Sequence, residues 1–279
     1  MKPRFLARRS TAARLPEAAT EAHPHAGHLG AARRGLERNE FSFAFQPKFR
    51  LPEIGLVGFE CLIRWRHNGD VLLPAHFLSI VDDSSLSPSF TELIFERAGQ
   101  MLQRWKAAGH AQLNLAINMS AKEMTHGDMA QRISHVCRAY DIAPERLEIE
   151  LTNAGQADLL DQLDKAIRAV QATGARVAID DLGGAFNSLM LLQQLPADIA
   201  KFDRSFLADV PANGVATKKI ETLVQFASGN GKEIVLSGIE TQAQLAWAKT
   251  LQGVDVQGFL LGKPADEVQT DDLIQQYRK

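Results

Sequence analysis

From Phe41 onward the chain alternates strand-length apolar runs with helix-length amphipathic runs, and this alternation limits the fold more than any other feature. Phe43 to Phe49 and Leu56 to Trp65 read as two strands joined by a Pro/Gly turn, Pro52 to Gly55. A helical stretch follows from Ser89 to Ala107, with Phe90, Leu93, Ile94, Ala98 and Leu102 on one stripe. Further strands are predicted at Leu113–Asn118, Leu147–Leu151, Val177–Asp181, Ile199–Asp203, Glu233–Ser237 and Val254–Phe259. The intervening helices are predicted at Gly127–Tyr140, Gln156–Thr173, Asn187–Gln194, Ala216–Ser228 and Gln242–Leu251. Most of these strands are continuous apolar runs, which suits a parallel sheet buried on both faces. Repeated β-α units over about 240 residues predict an α/β fold, a (β/α)8 TIM-like barrel. An open doubly wound sheet is the alternative. The stretch Asp180-Asp-Leu-Gly-Gly184 lacks the G-x-G-x-x-G spacing of a dinucleotide loop, which counts against it.

The first residues break this pattern. Met1 to Arg38 carries five basic residues before its first acid, Glu17, and then an Ala/His/Gly stretch with scattered large apolar residues. Residues 1–38 are therefore read as a flexible basic, Ala-rich leader, and residues 39–279 as the folded domain. A basic arm touching a membrane surface or an acidic partner is the sharper alternative. His23, His25 and His28 are too loosely placed to argue for a metal tract. No apolar h-region marks a secretory signal, and no run approaches the length of a membrane span. A net charge of −2 from 31 basic and 33 acidic residues argues against a general nucleic-acid binder. Two cysteines, Cys61 and Cys137, exclude a disulfide scaffold and fit a reducing compartment, so a cytoplasmic location is expected. Cys61 and the three tryptophans are expected in the core.

Polar residues collect at the predicted strand ends: Glu60, Asn118, Glu150, Asp180 with Asp181, Lys201 with Asp203, Ser237 and Gln257. In a barrel of this kind the carboxyl ends of the strands carry the site. Any one of them is ordinary at a rim; four acids and an Asn on separate strands are a constellation. Buried like charges raise one another's pKa unless something positive offsets them. Oxygen donors of this kind suit Mg²⁺, Mn²⁺ or Ca²⁺. Adjacent Asp180 and Asp181 could bridge two ions or divide between them. Two ions roughly 4 Å apart are a recurring device for phosphodiester chemistry. Lys201 would orient or deprotonate water, or offset excess negative charge.

These residues also sit in motifs that resemble the EAL domain family, which hydrolyses the bacterial second messenger cyclic di-GMP. Phe45-Gln-Pro47 resembles the opening Tyr/Phe-Gln-Pro, and Glu60-Cys-Leu-Ile-Arg-Trp65 the naming Glu-Ala-Leu-Leu-Arg-Trp, with Cys61 in the Ala place. Ile117-Asn-Met-Ser120, Leu147-Glu-Ile-Glu-Leu-Thr152, Asp180-Asp-Leu-Gly183, Lys201-Phe-Asp203 and Gln257-Gly-Phe259 follow in the family's order. The resemblance implies that Glu60, Asn118, Glu150 and Asp180 hold a first metal ion, and that Asp180 and Asp181 serve a second. It implies Lys201 beside the attacking water, with Glu60 and Lys201 as the catalytic pair. It implies Gln46, Leu62, Arg64, Asp203, Glu240 and Gln257 around the nucleotide. An Arg64 guanidinium suits a phosphate because its planar fork grips two oxygens at once.

Three departures from the family pattern bear on activity. Leu236-Ser-Gly-Ile-Glu-Thr241 places Ser237 where the family has a Glu that binds the second ion and is a candidate general base. Asn153 replaces a Glu that anchors the loop after Asp181, and in that loop Gly184 has lost the Thr hydroxyl such a Glu holds. Ala185 stands where the family has glycine. The expectation is a degenerate EAL domain that binds cyclic di-GMP, a protein partner, or both, with little or no hydrolysis and an impaired second metal site. An active Mg²⁺- or Mn²⁺-dependent phosphodiesterase giving the linear dinucleotide, inhibited by Ca²⁺, is the alternative; a nucleotide-independent interaction protein is another. A homodimer through the loop after Asp181 is a further expectation, weakened by the altered loop.

Overall fold

The computed structural model describes residues 25–126, 128–154, 159–182 and 188–277. Strands β1 (Phe41–Arg50), β2 (Gly55–His67), β4 (Asn114–Ser120), β5 (Leu147–Thr152), β6 (Arg176–Leu182), β7 (Ile199–Phe202), β8 (Glu233–Ser237) and β9 (Val254–Gln257) close into a barrel. A short β3 (Asp70–Leu72) extends β2 as a hairpin outside it. Neighbours from β2 through β9 run parallel, whereas β1 pairs antiparallel with both β2 and β9. The inversion follows from the connection. Leu51 to Ile54 is a four-residue turn, far too short for the crossover a parallel pair needs. The barrel is thus TIM-like with its first strand reversed.

Helices α3 (Ser87–Ala107), α5 (Met129–Ala139), α6 (Leu160–Gln171), α7 (Ser188–Gln194), α8 (Gly214–Gly229) and α9 (Gln242–Ala248) lie in the predicted connections. Three short helices were not legible: α2 (Leu78–Asp82), α4 (Ala121–His126) and α10 (Glu267–Gln276). Alternation sorts each strand between two cores. Outward residues such as Leu115, Ile117, Ile149, Ile179, Phe202, Leu236 and Val256 join the helices in one large apolar cluster. Of the inward residues, Ala178, Ile199 and Val235 form a separate apolar cluster inside the barrel. Above them the interior turns polar.

The N-terminal reading needs correction. The expected leader ran to residue 38, but His25–Glu37 forms helix α1, and Ala31, Ala32 and Gly35 on it are buried. Leu29, Ala32 and Leu36 recur at helical spacing and pack on Trp65, Phe77, Val81 and Phe90. Gly35 permits the approach, since a Cβ there would lie 2.9 Å from Trp65 Nε1. Residues 1–24 lie outside the described residues.

Candidate active site

Five inward positions at the carboxyl ends of the parallel strands converge on one point. Glu60 comes from β2, Asn118 from β4, Glu150 from β5, Asp180 from β6 and Lys201 from β7. The Lys201 ammonium sits among three carboxylates: Glu150 Oε2 at 2.5 Å, Glu60 Oε2 at 3.0 Å and Asp180 Oδ2 at 3.1 Å. Asn118 Nδ2 donates to Glu60 Oε1 at 2.8 Å. Gln257 Nε2, at the end of β9, donates to Glu60 Oε2 at 2.8 Å and to Gln46 Oε1 at 2.9 Å. Gln46 faces Glu60 directly across the β1–β2 pair.

A second charged layer lies beneath. Lys48 Nζ donates to Glu148 Oε1 at 2.7 Å and stands 3.6 Å from Glu150 Oε1. Both lysines and the three glutamates they contact, of which Glu150 is shared, are buried. Lys48 and Glu148 were absent from the sequence reading, although the signal was there: Gln46 and Lys48, like Glu148 and Glu150, are two residues apart and so share a strand face.

The electrostatics follow from the counting. Three carboxylates surround one ammonium. Burial opposes the charge on Lys201, but Asp180, Glu150 and Glu60 outweigh it and hold the ammonium well above the ordinary lysine range. Burial likewise opposes charge on Glu60, and Lys201 with the amides of Asn118 and Gln257 brings its carboxyl down to about 2. The surplus negative charge falls on the other two acids. Burial and then the Glu60 charge push Glu150 well above the usual carboxylate range, and burial raises Asp180 against the pull of Lys201. Burial and Asp180 push exposed Asp181 up to about 6. The same surplus is relieved by a divalent cation without any proton. Oxygens of Glu60, Glu150 and Asp180 lie within 4.8 Å of one another, a set that fits a hard ion.

The mouth is split by Glu60 and Leu62 into two clefts. The larger, about 470 Å³, is walled by α2 and the residues before it on one side and by Asn118, Asn153, Asp180 and Asp181 on the other. The smaller, about 270 Å³, is bounded by Gln46, Asp203, Arg204, Ser237, Glu240, Gln257 and Phe259. A wider groove of about 850 Å³ between α3 and α5 lies away from the strand ends and brings no such cluster together. Among the described residues, five buried side-chain polar atoms lack a hydrogen-bond partner, and three of them are here: Glu150 Oε1, Ser237 Oγ and Gln257 Oε1. Unsatisfied groups concentrated at one place mark a surface shaped for something other than its own chain.

The remaining sequence candidates fall around these clefts. Arg64 is half-buried on β2 and donates to the Ile63 carbonyl at 3.0 Å. Asp203 caps the short 3-10 turn Arg204–Phe206 by accepting from Ser205 N at 2.9 Å. Glu240 is exposed. Asn153 and Asp181 both take left-handed backbone angles, φ 56°, which an Asn or Asp tolerates better than most residues. Gly184, Ala185 and Phe186 lie outside the described residues. Arg204 and Asp82 were missed because each is an isolated polar residue on a connection with no periodicity to flag it.

The match to known proteins runs over the same elements. A family model described as the EAL domain matches residues 30–264. This chain belongs to the EAL domain family. Its EAL domain is 29% identical over 233 residues to the bifunctional diguanylate cyclase/cyclic di-GMP phosphodiesterase MucR of Pseudomonas aeruginosa, covering 83% of this chain and 34% of that protein. It is 27% identical over 247 residues to the cyclic di-GMP phosphodiesterase NbdA of the same organism, covering 88% of this chain and 32% of that protein. The chain thus spans about a third of the length of these curated relatives. Among solved structures, the PaMucR phosphodiesterase in complex with c-di-GMP superimposes with a TM-score of 0.80 at 28% identity, over 88% of this chain and 99% of that one. The EAL domain of Xanthomonas citri FimX gives a TM-score of 0.77 at 20% identity, which speaks for the fold alone. No helix among the described residues of this EAL domain is long and apolar enough to cross a membrane.

Proposed function

We propose that this EAL domain binds cyclic di-GMP across the two clefts and turns it over slowly or not at all. The observation that carries the reading is the contrast between two parts of one site. Glu60, Asn118, Glu150, Asp180 and Lys201 form one hydrogen-bonded cluster with surplus negative charge, while Ser237, facing Gln257 in register, ends β8 with a hydroxyl that has no partner among the described residues. The two clefts flank Glu60, so that the two nucleosides of a cyclic dinucleotide would occupy one cleft each with one of its two phosphodiesters beside Glu60. The named activities of MucR and NbdA support the nucleotide class.

Glu60, Glu150 and Asp180 are the residues that would hold a Mg²⁺ or Mn²⁺ ion, with Asn118 beside them once its amide oxygen is turned inward. Such an ion, when bound, polarises a phosphoryl oxygen and lowers the pKa of a coordinated water. The side chains contribute the rest. Lys201 stays protonated and presents its ammonium to developing negative charge. Gln257 and Asn118 fix the two oxygens of Glu60. Arg64, two residues beyond Leu62 on the same face of β2, would turn its fork to a phosphate. What is missing is a carboxylate at position 237 to hold a second ion or accept a proton. Loss of a general base alone slows a reaction by roughly 10²–10⁴-fold. Asn153 removes one more negative group from the larger cleft.

The test is a gain of function. Ser237→Glu combined with Asn153→Glu should bring Mg²⁺-dependent conversion of cyclic di-GMP to the linear dinucleotide well above wild type, followed by chromatography. A double variant no faster than an inactive wild type would place the defect elsewhere. The retained Lys201 cluster favours the second reading, an active phosphodiesterase. Rapid turnover by the unmodified chain would establish it and remove the proposal.

A further inference from the structure

Lys48 and Glu148 are buried charges that the proposed function leaves unused. Lys48 on β1 is 2% exposed and Glu148 on β5 is 4% exposed. A buried ion pair is weak evidence for stability, because desolvating both charges offsets most of their attraction. What the pair reaches is the site above it. Lys48 Nζ donates to Glu148 Oε1 at 2.7 Å and stands 3.6 Å from Glu150 Oε1. That second oxygen is buried and has no hydrogen-bond partner among the described residues. An ammonium carries further N–H donors beyond the one that Glu148 takes. Lys48 is thus bonded to one glutamate and poised beside another. Burial works against its charge, but Glu148 and Glu150 outweigh that and raise the ammonium above the ordinary lysine range.

The charges of the two layers close on a single divalent ion. Glu60, Glu148, Glu150 and Asp180 supply the carboxylates, and Lys48 and Lys201 are the ammoniums among them. Fully ionised, these side chains leave a surplus of two negative charges, the charge of one Mg²⁺ or Mn²⁺. Taking away Lys48 enlarges that surplus, and neutralising Glu148 shrinks it. Both residues lie where salt screens poorly, so each change is felt at the carboxylates above.

We propose that Lys48 is a positioning residue for the ion site: it braces Glu150 from below and, as a fixed positive charge beside that ligand, limits how tightly the cluster holds a divalent cation, while Glu148 draws it back. The inference rests on the ion-binding part of the proposed function. A site tuned in this way holds its ion loosely until a phosphate adds negative charge.

The experiment is titration of Mn²⁺ into the protein at one fixed pH, without nucleotide, with the free ion followed by electron paramagnetic resonance. Lys48→Met should tighten Mn²⁺ binding about tenfold, and Glu148→Gln should weaken it about tenfold. Arg50→Met, two residues further along β1 with its side chain 51% exposed, is the control for general charge and should stay within about twofold of wild type. Glu148→Gln keeps the shape of the side chain and carries the test alone if Lys48→Met does not fold. A packing role would weaken binding in both variants. Shifts in the same direction, shifts below twofold, or an equal shift in Arg50→Met would overturn the inference and leave the functional reading standing. Absence of Mn²⁺ binding by wild type would overturn the ion site and this inference with it.

Discussion

Glu150 lies between two buried lysines, its Oε2 2.5 Å from Lys201 Nζ and its Oε1 3.6 Å from Lys48 Nζ. Glu150 is fully buried; burial and the Glu60 charge raise its carboxyl well above the usual range, and the cations on both sides of it oppose that rise. The arrangement stacks the barrel interior into a lower pair, Lys48 with Glu148, and an upper cluster around Lys201.

Removing the upper lysine tests this layering. Lys201→Met leaves Glu60, Glu150 and Asp180 facing one another with only Lys48, beside Glu150, as a nearby cation, and should cost about 3–5 kcal/mol of stability in metal-free buffer. A divalent cation should restore part of that loss, so Mg²⁺ should raise the melting temperature of the variant more than that of wild type. Thermal melts of both proteins with and without Mg²⁺ check this. A variant as stable as wild type in chelator would contradict the charge balance.

Helix α1 gives the second test. Ala32 is 2% exposed against the cluster of Trp65, Phe77 and Phe90. Ala32→Glu forces a carboxylate into that contact and should destabilise by about 2–4 kcal/mol. A mobile segment would accept the change without effect. Denaturant unfolding distinguishes the two, and an unchanged midpoint would detach α1 from the fold.

The third concerns Asp82, at the end of α2 on the wall of the larger cleft. Burial first, then Glu123 and Asp83, push its carboxyl up to about 6, against the pull of Lys122. An acid raised in the folded state weakens the fold where it is ionised. Its cost therefore grows as pH rises from the ordinary aspartate range through about 6, and is absent well below. Asp82→Asn should raise the melting temperature at pH 7.5 and leave it unchanged at pH 4. An equal shift at both values would assign the effect to packing instead.

The strand ends were legible because charged residues interrupt runs that are otherwise apolar. Glu60, Glu150, Asp180 and Lys201 each stand out for that reason, and the alternation of the barrel then carries them to one point. Other parts gave weaker signals. The stripe of α1 consists of Leu29, Ala32 and Leu36 among glycines and alanines, so its burial depends on fitting Trp65 rather than on apolar mass. Helix α10 buries only Thr270 and Ile274 and is held to α3 by Arg97 and Arg104 bonded to Glu267 and Asp271, pairings no local pattern announces. The reversal of β1 was implicit in the short turn after Arg50, which permits a hairpin and nothing else.

The central claim is binding without turnover, and the most direct measurement is titration of cyclic di-GMP into the unmodified protein in Ca²⁺ and then Mg²⁺, with product chromatography of the same samples. The account predicts saturable heat in both ions and no linear dinucleotide beyond a trace in Mg²⁺. Rapid appearance of the linear product in Mg²⁺ would contradict it, as would the absence of any binding heat.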